Sequence, residues 1–60
     1  MRFVKEYASF KVKQVNTRAS IGQYTKEEQA EKLKRIEKIV NCHNYRMILT
    51  DEAMRELASI

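Results

Sequence analysis

An all-α domain of three helices, near residues 2–18, 25–42 and 50–59, is predicted by three features of the chain. Proline is absent and glycine occurs once, at Gly22. An all-β domain needs many turn residues, whereas long helices need few. Apolar residues recur at spacings of three and four in each segment. Thr25 is followed three positions later by Glu28, the pattern of a capping box at a helix start.

The first segment has two periodic readings. As a strand, Phe10 and Val12 alternate with Lys11 and Lys13, but Val15 falls out of phase. As a helix, Val4, Ala8, Val12, Val15 and Ala19 form one stripe, and Phe3, Tyr7 and Phe10 a second. The helix accounts for more of the apolar residues and is expected from about Arg2 to Arg18. Ser20, Ile21 and Gly22 then break the pattern.

The second helix opens at Thr25, where Glu27 and Glu28 suit the positive end of the helix dipole. Ala30, Leu33, Ile36 and Val40, with Ile39 beside them, make its apolar stripe. Glu28–Lys32 and Glu31–Arg35 are i,i+4 pairs in the favourable order. Residues 41–44 include two asparagines that tolerate a left-handed C-cap, so the helix is expected to end near Cys42. Tyr45 to Leu49 reads as an extended connector packed under the helices. Thr50 is the expected N-cap of the third helix, with Asp51 and Glu52 in its first turn and Ala53, Met54, Leu57 and Ala58 at helical spacing. Its last turn, ending at Ile60, is expected to fray.

Sixty residues make a single domain, and a marginal one, because so short a chain buries only about 60% of its unfolded surface. Such domains usually need a disulfide, a metal or a partner. One cysteine, Cys42, gives no internal disulfide, and one histidine, His43, leaves a tetrahedral zinc site two ligands short. A protein partner or a second copy is the remaining source of burial. The lone cysteine and the charges spread through the N-terminal residues fit a cytoplasmic protein without a signal peptide, and no run is apolar enough to span a bilayer.

Nothing here resembles catalytic machinery. There is no phosphate-binding glycine loop, HExxH or GxSxG. Cys42 and His43 are neighbours pointing about 100° apart on a helix, which is poor geometry for a nucleophile and its base. The expected cofactor and metal sets are empty.

Binding is better marked. Residues 1–24 carry Arg2, Lys5, Lys11, Lys13 and Arg18 against Glu6 alone, so the whole formal charge of +4 lies there. The two stripes of the first helix do not merge; Lys11 and Arg18 lie between them, where an ordinary core-facing stripe has no charge. Two readings follow. The second stripe, Phe3, Tyr7 and Phe10 with Lys11 and Arg18, forms a protein-docking face, since aromatic residues and arginine are enriched at interfaces. Alternatively Lys11 and Arg18 lay their stems over the core and keep their charges in water.

A second functional class is direct nucleic-acid binding through Arg2, Lys5, Lys11, Lys13 and Arg18. A helix-turn-helix is disfavoured, because residues 43–49 make too long a turn and the third helix carries Asp51, Glu52 and Glu56 against Arg55. A ribbon-helix-helix is also disfavoured, because the candidate strand is short and the next helix starts too late. A third possibility is a homodimer whose second stripe pairs with itself.

The short chain, the basic opening from Met1 to Arg18 and the capped Glu/Lys-rich helix from Thr25-Lys26-Glu27-Glu28 onward resemble small accessory proteins of phages and mobile elements, of the recombination directionality factor or excisionase type. That resemblance implies a regulatory, non-catalytic role and a DNA-acting enzyme such as a recombinase as partner. It carries no residue over by position. The missing winged-helix or helix-turn-helix signature sets this chain apart from the DNA-binding excisionases.

Overall fold

The computed structural model describes residues 3–60. Three α-helices follow in order, α1 (Val4–Ser20), α2 (Lys26–Asn44) and α3 (Thr50–Ala58), and no strand occurs among the described residues. The sequence reading of an all-α, three-helix domain therefore holds. Arg2, the expected start of the first helix, lies outside the described residues.

Gln29 Nε2 donates to Asn16 Oδ1 at 2.9 Å, and Lys5 and Asn41 line one end of a shared groove. These two points set α1 and α2 side by side and antiparallel. α3 packs against both along one side of their seam. The core is Val4, Ala8 and Val15 of α1, Ile36 and Ile39 of α2, and Ala53 and Leu57 of α3. Val12, Leu33 and Val40, expected in the stripes, are only half-buried, and Ala30 is exposed. α3 covers one flank of the α1–α2 pair and leaves these residues on the other.

Each helix end has an identifiable stop. α1 closes in a Schellman arrangement, in which Gly22 N–H donates to Ala19 O (3.1 Å) and Gln23 N–H to Arg18 O (2.8 Å). Gly22 holds φ at 85°, which only glycine adopts without strain. α2 opens with the expected capping box: Glu28 N–H donates to Thr25 Oγ1 (3.1 Å) and Thr25 N–H to Glu28 Oε1 (3.2 Å). Its end differs from expectation. The helix continues to Asn44, and the left-handed residue is Arg46, φ 58°, rather than an asparagine. Arg46 N–H reaches His43 O (3.0 Å) and Met47 N–H reaches Cys42 O (2.8 Å), completing a second Schellman closure.

The α2–α3 joint also departs from a packed connector. Tyr45, Met47 and Leu49 are 78%, 73% and 72% exposed, and only Ile48 packs on the core. Residues 45–48 are turn and bend rather than extended chain, and the closure at Arg46 directs Ile48 inward and leaves Tyr45, Met47 and Leu49 outside. Leu49 is the extended N-cap of α3, and Thr50 is the first helical residue. The Thr50 hydroxyl instead lies 3.0 Å from His43 Nε2, joining α2 to α3. The C-terminal turn is held: the Ser59 hydroxyl donates to Glu56 O (2.7 Å), and Ile60 packs against the core.

The two left-handed positions give opposite predictions. Gly22→Ala is expected to cost about 1 kcal/mol through backbone strain, since no atom lies within 4 Å of the added Cβ. Arg46→Gly removes the same kind of strain and is expected to gain about 0.5–1 kcal/mol, net of the extra freedom of the unfolded chain. Thermal melts should separate the two variants by roughly 10 °C, at about 4–8 °C per kcal/mol for a domain this small.

Candidate functional site

The outer flank of α1 carries the expected docking residues, and the structure divides them. Phe3 and Phe10 are 61% and 45% exposed. Tyr7 is half-buried and packs on the core, with its ring centroid 6.3 Å from that of Phe10 at a tilt of 35°. Phe10 borders a shallow depression of about 370 Å³ shared with Lys13, Gln14, Thr17 and Arg18. Three aromatic side chains thus run along one line of the helix, two facing water and one anchored between them.

The two cations are turned inward. Lys11 is 8% exposed, in the middle of the buried seam between Ala8 and Val15. Its ammonium donates to Gln14 Oε1 at 3.3 Å and sits 5.8 Å from the centroid of the Tyr7 ring. Arg18 is half-buried and donates through a terminal guanidinium nitrogen to the Tyr24 hydroxyl at 3.2 Å. Tyr24 in turn receives Lys32, whose ammonium lies 4.8 Å from its ring centroid. Both cations therefore engage tyrosines within the fold, and the buried Lys11 fits neither the exposed docking charge nor the charge kept in water.

Tyr24 was not singled out by periodicity. It stands immediately before the N-cap Thr25, a position where an apolar side chain often packs and fixes the entry of the chain into the helix. That placement was the available signal. The Arg18 hydrogen bond is the main cause that lowers its hydroxyl below the 10.0 of a free tyrosine, with the charges of Arg18, Lys32 and Lys11 adding and partial burial opposing. Because the folded value is depressed, the resulting stabilisation exists above the unfolded value and fades as pH falls through the folded one. It contributes nothing at neutral pH. In a phenolate absorbance titration, one of the three tyrosines should ionise early, and Arg18→Leu should return it to the ordinary range.

The corner between α2 and α3 supplies a second surface absent from the sequence expectations. Tyr45, Met47 and Leu49 are exposed in the connector, and a groove of about 500 Å³ is lined by Ile39, Cys42 and Ile48 with Lys34, Arg35, Lys38 and Glu56. A short apolar run has no period from which its outward residues can be read. Cys42 is half-buried there, while His43 Nε2 is engaged with Thr50, so the two do not form a nucleophile and base. Among the described residues, no three His, Cys, Asp or Glu side chains cluster as metal ligands. No helix among the described residues is long and apolar enough to cross a membrane.

Of the residues considered for nucleic acid, Lys5 and Lys13 are exposed, Lys11 and Arg18 are engaged with tyrosines, and Arg2 lies outside the described residues. No family model, curated protein or solved structure matches this chain.

Proposed function

We propose that this chain is a small, non-catalytic regulatory module that binds a larger protein through the aromatic flank of α1. One observation carries the reading. Among the described residues, six large apolar side chains are exposed, Phe3, Phe10, Ile21, Tyr45, Met47 and Leu49, whereas the apolar core holds five residues larger than alanine. Singly exposed apolar residues are ordinary, but aligned aromatic anchors beside a depression are the makings of an interface. Phe3 and Phe10 would enter apolar grooves of the partner. Tyr7, held by Lys11, would fix their spacing, and Arg18 would border the contact. The partner in this proposal is a DNA-acting enzyme such as a recombinase, which the chain would regulate in the cytoplasm without chemistry of its own.

The test is capture from host lysate with Phe3→Ser/Phe10→Ser, compared with the original chain, with and without nuclease. Both residues are exposed, so the helical circular dichroism should persist. Retention of the partner should fall by about 30-fold or more, as for loss of a hot spot worth at least 2 kcal/mol. Undiminished capture by a folded double variant would sink the proposal.

Direct nucleic-acid binding is the second reading, favoured by the +4 charge confined to residues 1–24. With Lys5 and Lys13 as its exposed cations on α1, neutralising about two phosphates gives a log affinity that falls with log salt at a slope near −2. Absence of DNA or RNA binding at low salt eliminates it.

A further inference from the structure

α3 covers one flank of the α1–α2 pair, and the opposite flank is an open groove of about 670 Å³. Half-buried Val12, Leu33 and Val40 contribute to its apolar lining. Its edges differ in charge. Lys5 and Lys13 line it from α1 and Glu37 from α2, and all three are exposed. The pairing of Asn16 with Gln29, and of Lys5 with Asn41, puts Glu37 at the height of Ala8, about midway between the two lysines.

We propose that this groove is filled by a second copy of the chain, related by a two-fold axis parallel to α1 and α2. Such an axis lays α1 of each copy over α2 of the other, antiparallel, and makes a central layer of four helices. Each Glu37 then stands between Lys5 and Lys13 of the other copy, offset by about three and five residues, or about 4.5 and 7.5 Å along the axis. Lysine and glutamate side chains together span these offsets.

The arrangement of charge selects this occupant. A partner helix with one sign of charge would face like charge along one edge. A second copy matches both edges at once, because an isologous contact repeats every pair twice. Ala30, three and seven residues before Leu33 and Glu37, is exposed on the same flank of α2 and gives the facing helix room to approach. The interface is distinct from self-pairing of the aromatic stripe. Phe3, Tyr7 and Phe10 lie across the buried seam of α1 and remain free, so a dimer presents the docking face twice and gains avidity on a two-site partner.

Sedimentation equilibrium of the full chain tests this. The expected mass is twice the 7.1 kDa of one chain at about 100 µM, above the micromolar limit usual for standard interfaces. Lys5→Glu/Lys13→Glu, and separately Glu37→Lys, should each weaken association by about 100-fold, because each sets like charges together twice, with helical circular dichroism unchanged. An equimolar mixture of the two variants should recover the dimer, since all four contacts become opposite in sign. A 7.1 kDa species at that concentration, a dimer that survives both changes, or variants that fail to rescue each other would each overturn the proposal. Lys13 also borders the Phe10 depression, whereas Glu37 does not, so partner capture by Glu37→Lys separates failure here from failure of the docking proposal.

Discussion

Leu57→Ala is expected to remove α3 from the fold and take most of the cooperative thermal transition with it. α3 has nine residues, and an isolated helix shorter than about 12–15 residues is marginal in water. Its helicity therefore depends on what it buries. Ala53 and Leu57 are both 0% exposed, and Leu57 is the only large side chain of α3 in the core. Truncating a buried leucine to alanine costs about 2–5 kcal/mol, from lost transfer energy and from the cavity left behind. A chain of 60 residues at roughly 0.05–0.15 kcal/mol per residue has about 3–9 kcal/mol in all. The loss is therefore about a fifth of the total or more. It also reaches α1 and α2, because Ile36, Ile39 and Val4 belong to the same cluster. The control is Leu57→Met, which conserves volume and should cost under about 1.5 kcal/mol. A melt of Leu57→Ala lower by less than about 8 °C would show that α3 is not integral to the core.

How far the chain disclosed this arrangement depended on the kind of signal present. α2 was legible because two independent signals agree: Thr25 and Glu28 mark its start, and the Leu33, Ile36, Val40 spacing marks its inward side. α3 was legible from Asp51, Glu52 and the 53, 54, 57 spacing, although its N-cap moved to Leu49. The end of α2 was not. Left-handed geometry falls on Arg46, a residue with no preference for it, and the hydrogen bonds to His43 and Cys42 carbonyls impose it. The exposed trio Tyr45, Met47 and Leu49 was hidden for the same reason, since the direction of a five-residue apolar run is set by the closure before it.

Periodicity found both stripes of α1, but periodicity assigns residues to faces without saying how wide the covering layer is. Val12, Leu33 and Val40 have the spacing of core residues, yet α3 is too short and too far to one side to cover them. The same limit made Lys11 ambiguous. Its position between the stripes is visible in the chain, whereas its burial, with the ammonium on Gln14 and over the Tyr7 ring, depends on the tertiary packing.

Lys11 is therefore the residue at which the two sequence readings of the docking face part, and a pair of substitutions separates them. Lys11→Met keeps an unbranched stem of similar length in the seam and removes the ammonium. Burying a charge carries a desolvation cost that its partners offset only in good geometry. Here the partners are one 3.3 Å hydrogen bond to Gln14 and a ring 5.8 Å away, the latter worth about 0.5–2 kcal/mol. The expected result is a variant as stable as the original chain or up to about 1 kcal/mol more so. Lys11→Glu is expected to cost about 2–3 kcal/mol, because a shorter side chain leaves a void and its carboxylate meets the negative face of the Tyr7 ring. Urea unfolding of both variants measures these differences. With the fold intact, Lys11→Met should also keep partner binding, because Phe3 and Phe10 are untouched. Lost binding in that stable variant would mean that the ammonium leaves Tyr7 to reach the partner. Lys11 would then be a recognition residue, and the aromatic flank alone would not be the docking site.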